Sequence, residues 1–427
     1  MLDKRKIFPI CAGIIAVIII ASYALLPSLL LKIRDTIVAE ARPLLNAQLE
    51  VGNLTMVGIN KIRLEQLTIN KADKTLISLP ETTLTIAFSN IFSANKLQVI
   101  EKIELTQAQI NLEVNAQEEW NIQDLLKPSE TSQNKLQALV IFQDSIVNIK
   151  FPEQDVQTKL NGTLDTRVAK KYNLDLKLDL QEVGQLTARG ILDEQGRGKV
   201  EFNSADLAVA KLEKLIAKYT TLQNVAGSLQ KINLIYQNAD KGKLLSGKLE
   251  AKDLTGKKQI ENMQVNFAVQ GPLQLTDNVL RFASTQVKFN EAQAELNGEV
   301  FLDNGLRFRA LTAQVQAVEL QKFFPELPVQ GQMQGSVQLD GSMDNLVATG
   351  LITADKLLIQ EMMYSSLKLP FKLQQNQLFL EQGEVTAGAG KIKINAEYGL
   401  RNNKINILAS AENIELGAIP QVQGLTG

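Results

Sequence analysis

Histidine is missing from all 427 residues, and cysteine occurs once, as Cys11. The first absence removes the usual general base near neutral pH and the commonest metal ligand. The second rules out an intrachain disulfide and a multi-thiolate metal site. Charge of one sign is lacking too: 45 Lys+Arg stand against 46 Asp+Glu, a formal net charge of −1, so no global basic field attracts nucleic acid. Aromatic residues make up only 5% of a chain that is 45% hydrophobic, which leaves the apolar surface to Leu, Ile, Val and Ala. The expectation is a protein that is not an enzyme, with no cofactor, no metal and no nucleic-acid partner.

One long uncharged run is present. Residues 7–26, "IFPICAGIIAVIIIASYALL", come after Lys4, Arg5 and Lys6. As a helix the run rises about 30 Å, the thickness of a bilayer core. The positive-inside rule keeps the basic tail, 1–6, in the cytoplasm and sends the residues beyond 26 across the membrane. A cleavable signal peptide is the alternative, with Ser22 and Ala24 at a −3/−1 spacing. An uncleaved anchor is favoured because the run exceeds a signal core of roughly 7–15 residues. Residues 27–50 read as a helical linker, in which Leu30, Ile33, Ile37 and Leu44 make a partial apolar face and Pro43 kinks or ends the helix.

Beyond it the hydrophobic period is two, the signature of strands with one wet face and one apolar face. "YNLDLKLDL" sets Leu174, Leu176, Leu178 and Leu180 against Asp175, Lys177 and Asp179. The same alternation nominates Leu84, Ile86 and Phe88; Ile110, Leu112 and Val114, with Ala108; Met263, Val265 and Phe267, with Val269; Val337 and Leu339, with Met333 and Gly335; and Ile392 and Ile394. "LNGT" (160–163), "LDEQGRGK" (192–199), "LNGE" (296–299), "LDNG" (302–305) and "LDGS" (339–342) read as turns between strands, and such short connections favour antiparallel neighbours. The class is mainly β.

An internal echo accompanies the strands. Gly190 in "ARGILDEQGRGKVEF" matches Gly298 in "LNGEVFLDNGLRFRA", and Gly227 in "AGSLQKINL" matches Gly335 in "QGSVQLDGS", both at the same offset, which suggests a repeated module. Each copy carries a candidate short amphipathic helix, "ADLAVAKLEKLIAKY" and "VELQKFFPEL". A second sheet, closure into a filled barrel, or a non-protein ligand would each cover the apolar face, and pattern alone leaves the three open.

Resemblance adds a further indication. The stretch from "VGNLTMVGINKIRLEQL" to "EEWNIQDLL", with a turn and helix at Phe88–Phe92, looks like the N-terminal region of AsmA/TamB-like proteins. "VQGQMQGSVQLDGSMDNLVATGLITADKLLI" and "GEVTAGAGKIKINAEYGL" resemble the glycine-bounded strands of the TamB-like part. The resemblance implies an N-terminal β-region at 51–130 and repeated groove modules at 131–427, forming an elongated twisted antiparallel sheet curled into an open hydrophobic trough. It implies an inner-membrane anchor with the bulk of the chain in the periplasm, and phospholipids as partners whose acyl chains lie on the residues nominated by the alternation. An outer-membrane β-barrel or docking protein is a further implied partner. Assistance to outer-membrane protein assembly is the alternative role. If residues from 51 onward make roughly 22–26 strands at about 4.8 Å spacing, the sheet extends on the order of 100–125 Å. The ending "QVQGLTG" does not resemble the docking end of longer members, which implies a short or truncated member.

Other chemistries read weakly. "GEVTAGAGK" lacks the Lys-Ser/Thr of a phosphate loop and reads as a turn. Glu118, Glu119, Asp144 and Asp155 lack a supporting constellation for acid–base work and read as solvated turn residues. Trp120 reads as a packing residue in a turn, ahead of a membrane-interface anchor.

Overall fold

The structure, a computed structural model, describes residues 34–35, 38–39, 42, 45–87, 99–117, 119–125, 137–220, 222–239, 242–260, 263–290, 292–302, 307–319, 321, 329–342, 345–359 and 362–414. The apolar run 7–26, Phe88 and the "LDNG" turn after Leu302 lie outside them. Among the described residues no helix is long and apolar enough to cross a membrane. In the linker, the Arg42 amide donates to the Val38 carbonyl at 3.0 Å, a helical turn where the sequence predicts one.

The chain divides into two compact units, Met1–Glu201 with Asn238–Asp240, and Phe202–Gln237 with Lys241–Gly427. The first contains β1 (Gln48–Glu50), β2 (Leu54–Gly58), β3 (Lys61–Lys71), β4 (Lys74–Ile86), β5 (Ile100–Thr106), β6 (Gln109–Glu113), β7 (Leu139–Lys150), β8 (Asp155–Asp165), β9 (Lys171–Leu180) and β10 (Gly184–Asp193). β1 and β2 share one edge of β3; the ladder then runs through β4, β5 with β6, β7, β8, β9 and β10. Two pairings depart from the antiparallel expectation: β7 lies parallel to both β5 and β6. The long connection between β6 and β7 lets the chain return and run in the same direction, which a short hairpin cannot do.

β11 (Gly198–Ala208) spans the division, and α1 (Glu213–Thr220) and β12 (Gln223–Ala239) come next. Of the helix predicted at 205–219, the first four residues instead finish β11 and a 3-10 turn, Val209–Leu212, precedes α1. The second unit continues with β13 (Gly242–Ile260), β14 (Met263–Thr276), β15 (Val279–Phe289), β16 (Ala292–Phe301), β17 (Arg307–Glu319), β18 (Val329–Ser342), β19 (Val347–Ala354), β20 (Leu357–Ile359), β21 (Met362–Tyr364), β22 (Ser366–Gln374), β23 (Gln377–Ala387), β24 (Gly390–Gly399) and β25 (Ile405–Glu412). From β13 to β19 each strand pairs antiparallel with the next; β19 then pairs with β22, and the order continues to β25. β20 and β21 form a small hairpin that pairs with the start of β18.

Three of the sequences read as turns are inside strands. Gly162 lies within β8, Gly298 within β16 and Gly341 within β18. They mark β-bulges, where one strand carries an extra residue and bends. In the second unit the register shifts at Ala251/Leu254, Gln270/Leu273, Phe282/Thr285, Asn297/Glu299 and Phe308/Leu311, so a line of bulges crosses five consecutive strand pairs. "LDEQGRGK" is a true turn between β10 and β11, and "GEVTAGAGK" turns at Gly388 between β23 and β24.

Candidate functional site

Directly opposed residues in a sheet point to the same face, so the strand registers trace which side chains line up. In the first unit one row reads Ile62, Leu84, Ile103, Val140, Leu164, Leu174, Gly190, and the next reads Leu64, Thr82, Leu105, Phe142, Gly162, Leu176, Ala188. A third runs Ile77, Ile110, Val147, Thr158, Leu180. Leu112 opposes Ile149, Leu178 lies between Leu160 and Leu186, and Ile86 opposes Ile100. Val114 falls beyond β6 and makes a single bridge with Trp120.

The second unit repeats the arrangement. Its rows include Leu296, Ala313, Val337, Gly350, Phe371, Leu380, Ala396, Ile407, and beside it Leu311, Leu339, Ala348, Leu373, Leu378, Tyr398, Ile405. Phe267 opposes Phe289, and its ring lies over Gly256, where a Cβ would fall 2.5 Å from the ring Cζ. Val265 opposes Lys258 and Met263 opposes Ile260; the Met263 side chain is outside the described residues.

The rows are aliphatic and incompletely covered. Leu174, Leu176, Leu178 and Leu180 are all half-buried, while Asp175, Lys177 and Asp179 between them are exposed. Within each unit the closest strand-to-strand contacts are, with few exceptions, those between hydrogen-bonded neighbours. An exception is local: Leu357 of the β20–β21 hairpin is buried with Ala354, Leu367 and Val385, and Val329, Met333, Tyr364, Leu369, Ile392 and Ile394 pack around them. Ile392 and Ile394 are therefore in contact with protein side chains on one side.

The bulges decide where the face is deepest. At each, a residue with positive φ turns the strand, as at Asp144 (φ 48°), Ser284 (φ 53°), Ala310 (φ 47°) and Gln382 (φ 58°). Its amide is lifted out of the ladder and finds a side-chain oxygen on the neighbouring strand. Asp144 N–H donates to Asn161 Oδ1 at 2.8 Å, Ser284 to Asn297 at 2.7 Å, Ala310 to Asp340 at 2.7 Å and Gln382 to Asn395 at 2.8 Å. The residue after the turn dives into the fold line: Ser145 and Thr285 have no exposed surface, and Leu311 is buried. Thr285 meets its hydroxyl requirement by donating to the Pro272 carbonyl at 2.6 Å. Ala251 and Leu273 are buried along the same line. A β-bulge bends its strand and strengthens its twist, so the line of bulges marks a crease across the sheet.

Gly162 (φ 134°) and Gly298 (φ 125°) are required by this crossing. Besides their positive φ, a Cβ would stand 2.8 Å from Leu176 Cα at the first and 2.6 Å from Leu311 Cα at the second.

The ion pairs gather on the other side. Arg189 pairs with Asp175 at 2.8 Å, Lys159 with Asp144 at 3.1 Å and Arg63 with Glu81 at 3.3 Å. Glu299 lies between Arg281 and Arg309, and hydrogen bonds from the two guanidiniums hold its carboxyl below the usual range. The Ala310 amide and then the Gln338 side chain do the same for Asp340. Among the described residues there is no cluster of metal-ligating side chains.

Near the chain's entrance to the sheet, Trp120 meets Phe151 edge-to-face with centroids 6.2 Å apart. Asn121 Nδ2 donates to the Asn111 carbonyl at 3.1 Å, and Asn46 N–H donates to the Leu125 carbonyl at 2.9 Å. The "WNIQDL" stretch thus fastens the chain's first strand to the end of β6.

Together these features define a class: mainly β proteins whose bulged sheet carries one aliphatic face and one charged face. The AsmA family model matches residues 1–412, and the chain belongs to that family. Comparison with curated proteins and with solved structures gives no match.

Proposed function

We propose that this protein is not an enzyme but a lipid-handling protein of the cell envelope, held in the inner membrane by residues 7–26 with its bulk in the periplasm. Its sheet shields phospholipid acyl chains and supports their movement between inner and outer membranes. The observation that carries this reading is the set of aliphatic rows on one face of each unit, many of whose members, such as Leu174, Leu176, Leu178 and Val337, are only half-buried. Rows of Leu, Ile, Val and Ala with few convergent polar groups suit fluid chains that slide, whereas a ligand held in one pose needs fixed polar contacts. At about 0.8 kcal/mol per buried CH₂, two acyl chains offset a large part of the cost of leaving a bilayer.

A second reading, assistance to outer-membrane protein assembly by strand pairing, is favoured by one feature. Ile405, Ile407 and Leu408 of β25 are exposed, and among the described residues β25 is paired only through β24. The test is native mass spectrometry with lipid extraction on the detergent-purified full chain after extensive washing. Several phospholipids retained per chain support acyl shielding. A folded, lipid-free chain that instead captures unfolded barrel strands supports the second reading.

A further inference from the structure

The hairpin joining β2 to β3 is unlike the other edges of the first unit. Across it Leu54 opposes Leu64 and Met56 opposes Ile62, then a bulge at Val57 leads into a turn at Ile59 and Asn60. Leu64 and Ile62 are buried, yet Met56 is 39% exposed, Val57 43% and Ile59 86%. Three apolar side chains within four residues thus face solvent, and the flanking Lys61 is exposed as well. The outer edge of β2 has no strand partner among the described residues. An exposed apolar edge in water is an aggregation hazard that soluble sheets blunt with charge. Here the chain reaches that edge from the apolar run at 7–26 through residues 27–53, which include β1, so β1 and β2 are the strands closest along the chain to that run.

We propose that the β2–β3 hairpin tip, through Met56, Val57 and Ile59, inserts into the headgroup–acyl boundary of the membrane that anchors the chain. At that depth the apolar side chains leave water, the open β2 edge keeps access to headgroups and water for its amides, and Lys61 reaches outward to lipid phosphate. The row that begins at Ile62 and Leu84 then starts at the bilayer surface. The inference rests on the membrane-anchored reading of residues 7–26 and is independent of whether lipid travels along the sheet.

The single native cysteine makes the test direct. In a C11S background, the full chain carrying I59C or V168C is labelled with an environment-sensitive nitrobenzoxadiazole probe and reconstituted into vesicles of phosphatidylethanolamine and phosphatidylglycerol. Val168, 61% exposed in the turn between β8 and β9, is an equally apolar site several strands away. The expected result is blue-shifted emission at position 59 that shallow nitroxide-labelled lipids quench, with water-like, unquenched emission at 168. Vesicle-bound chain with water-like emission at 59, or with equal quenching at both sites, overturns the inserted hairpin while leaving acyl shielding intact. Blue-shifted emission at 59 that nitroxide lipids do not quench also overturns it, in favour of a protein partner. Chain that fails to float with the vesicles overturns both this inference and the anchor it rests on.

Discussion

Asn161, Asn297, Asp340 and Asn395 each offer a carbonyl or carboxylate oxygen to an amide that a bulge has removed from the ladder. An amide left without a partner at a fold line carries the desolvation cost of an unmet donor. Asn297→Ala is therefore expected to lower stability by about 0.5–1.5 kcal/mol, read from urea unfolding midpoints. Asp340 differs from the other three in being ionisable. Its carboxyl is held below the ordinary aspartate value, first by the Ala310 amide and then by Gln338, so the folded state binds its proton less readily than the unfolded chain. The contribution is present above the ordinary aspartate value near about 4 and is lost as pH falls through the lower folded value. Asp340→Asn keeps an acceptor at the same place and removes the proton equilibrium. It is expected to flatten the acid limb of the stability profile by lowering the neutral-pH midpoint toward the value reached in acid, read from urea unfolding across pH.

A bulge also changes the phase of a strand, and this governs what the sequence reveals. In β15 the apolar face is carried by Leu280 and Phe282 before Ser284, and by Thr285, Val287 and Phe289 after it. In β7 it passes from Val140 and Phe142 to Ser145, Val147 and Ile149 across Asp144. Strict alternation finds unbroken stretches such as 174–180 and loses whichever half of a strand lies past the change. Phe142, Ala313 and Leu380 lie in strands interrupted in this way and escape it, although they share rows with residues that it nominates; Ile103, Leu105 and Phe371 share such rows too. The Asn-Gly and Asp-Gly pairs are legible as chain bends but not as bends inside strands, because the same positive φ serves a hairpin turn and a bulge. The parallel placement of β7 leaves no local signature at all, since it is set by where the chain goes between β6 and β7. Deleting Ser284 restores strict alternation and keeps Leu280, Phe282, Val287 and Phe289 on one face, but it removes the bend and the amide that Asn297 accepts from, leaving β15 out of step with the bulges of the neighbouring strand pairs. The expected outcome is loss of protease resistance in the second unit, measured by limited proteolysis. The β20–β21 hairpin depends on one anchor: Leu357→Ala empties the small cluster beneath it and is expected to cost about 2–5 kcal/mol.

The apolar face can tolerate at its half-buried positions what a packed core cannot, because side chains such as Leu174, Leu176 and Leu178 are only half removed from water. That property separates a lipid surface from a core by mutation. Leu176 is half-buried between Gly162 and Ala188, neither of which needs the leucine as a packing partner to keep its strand in register. Leu176→Asp should therefore fold, shifting the unfolding midpoint by no more than about 1–2 kcal/mol. It would nonetheless set a carboxylate in the row running from Leu64 to Ala188, and an acyl chain crossing it must desolvate that charge. The expected result is a folded variant with less co-purified phospholipid and slower transfer between donor and acceptor vesicles. Ile394→Asp is a poorer probe, since Ile394 packs on the buried cluster beneath the β20–β21 hairpin and its loss confounds folding with lipid contact. Lys177→Glu, one residue along β9 but on the polar face, supplies the control: a carboxylate on the same strand facing the other way, with lipid content unaltered. If Leu176→Asp and Lys177→Glu both retain wild-type phospholipid and transfer, acyl chains do not use the aliphatic rows of the first unit. The exposed strand edge of β25 then becomes the better guide to what this protein does.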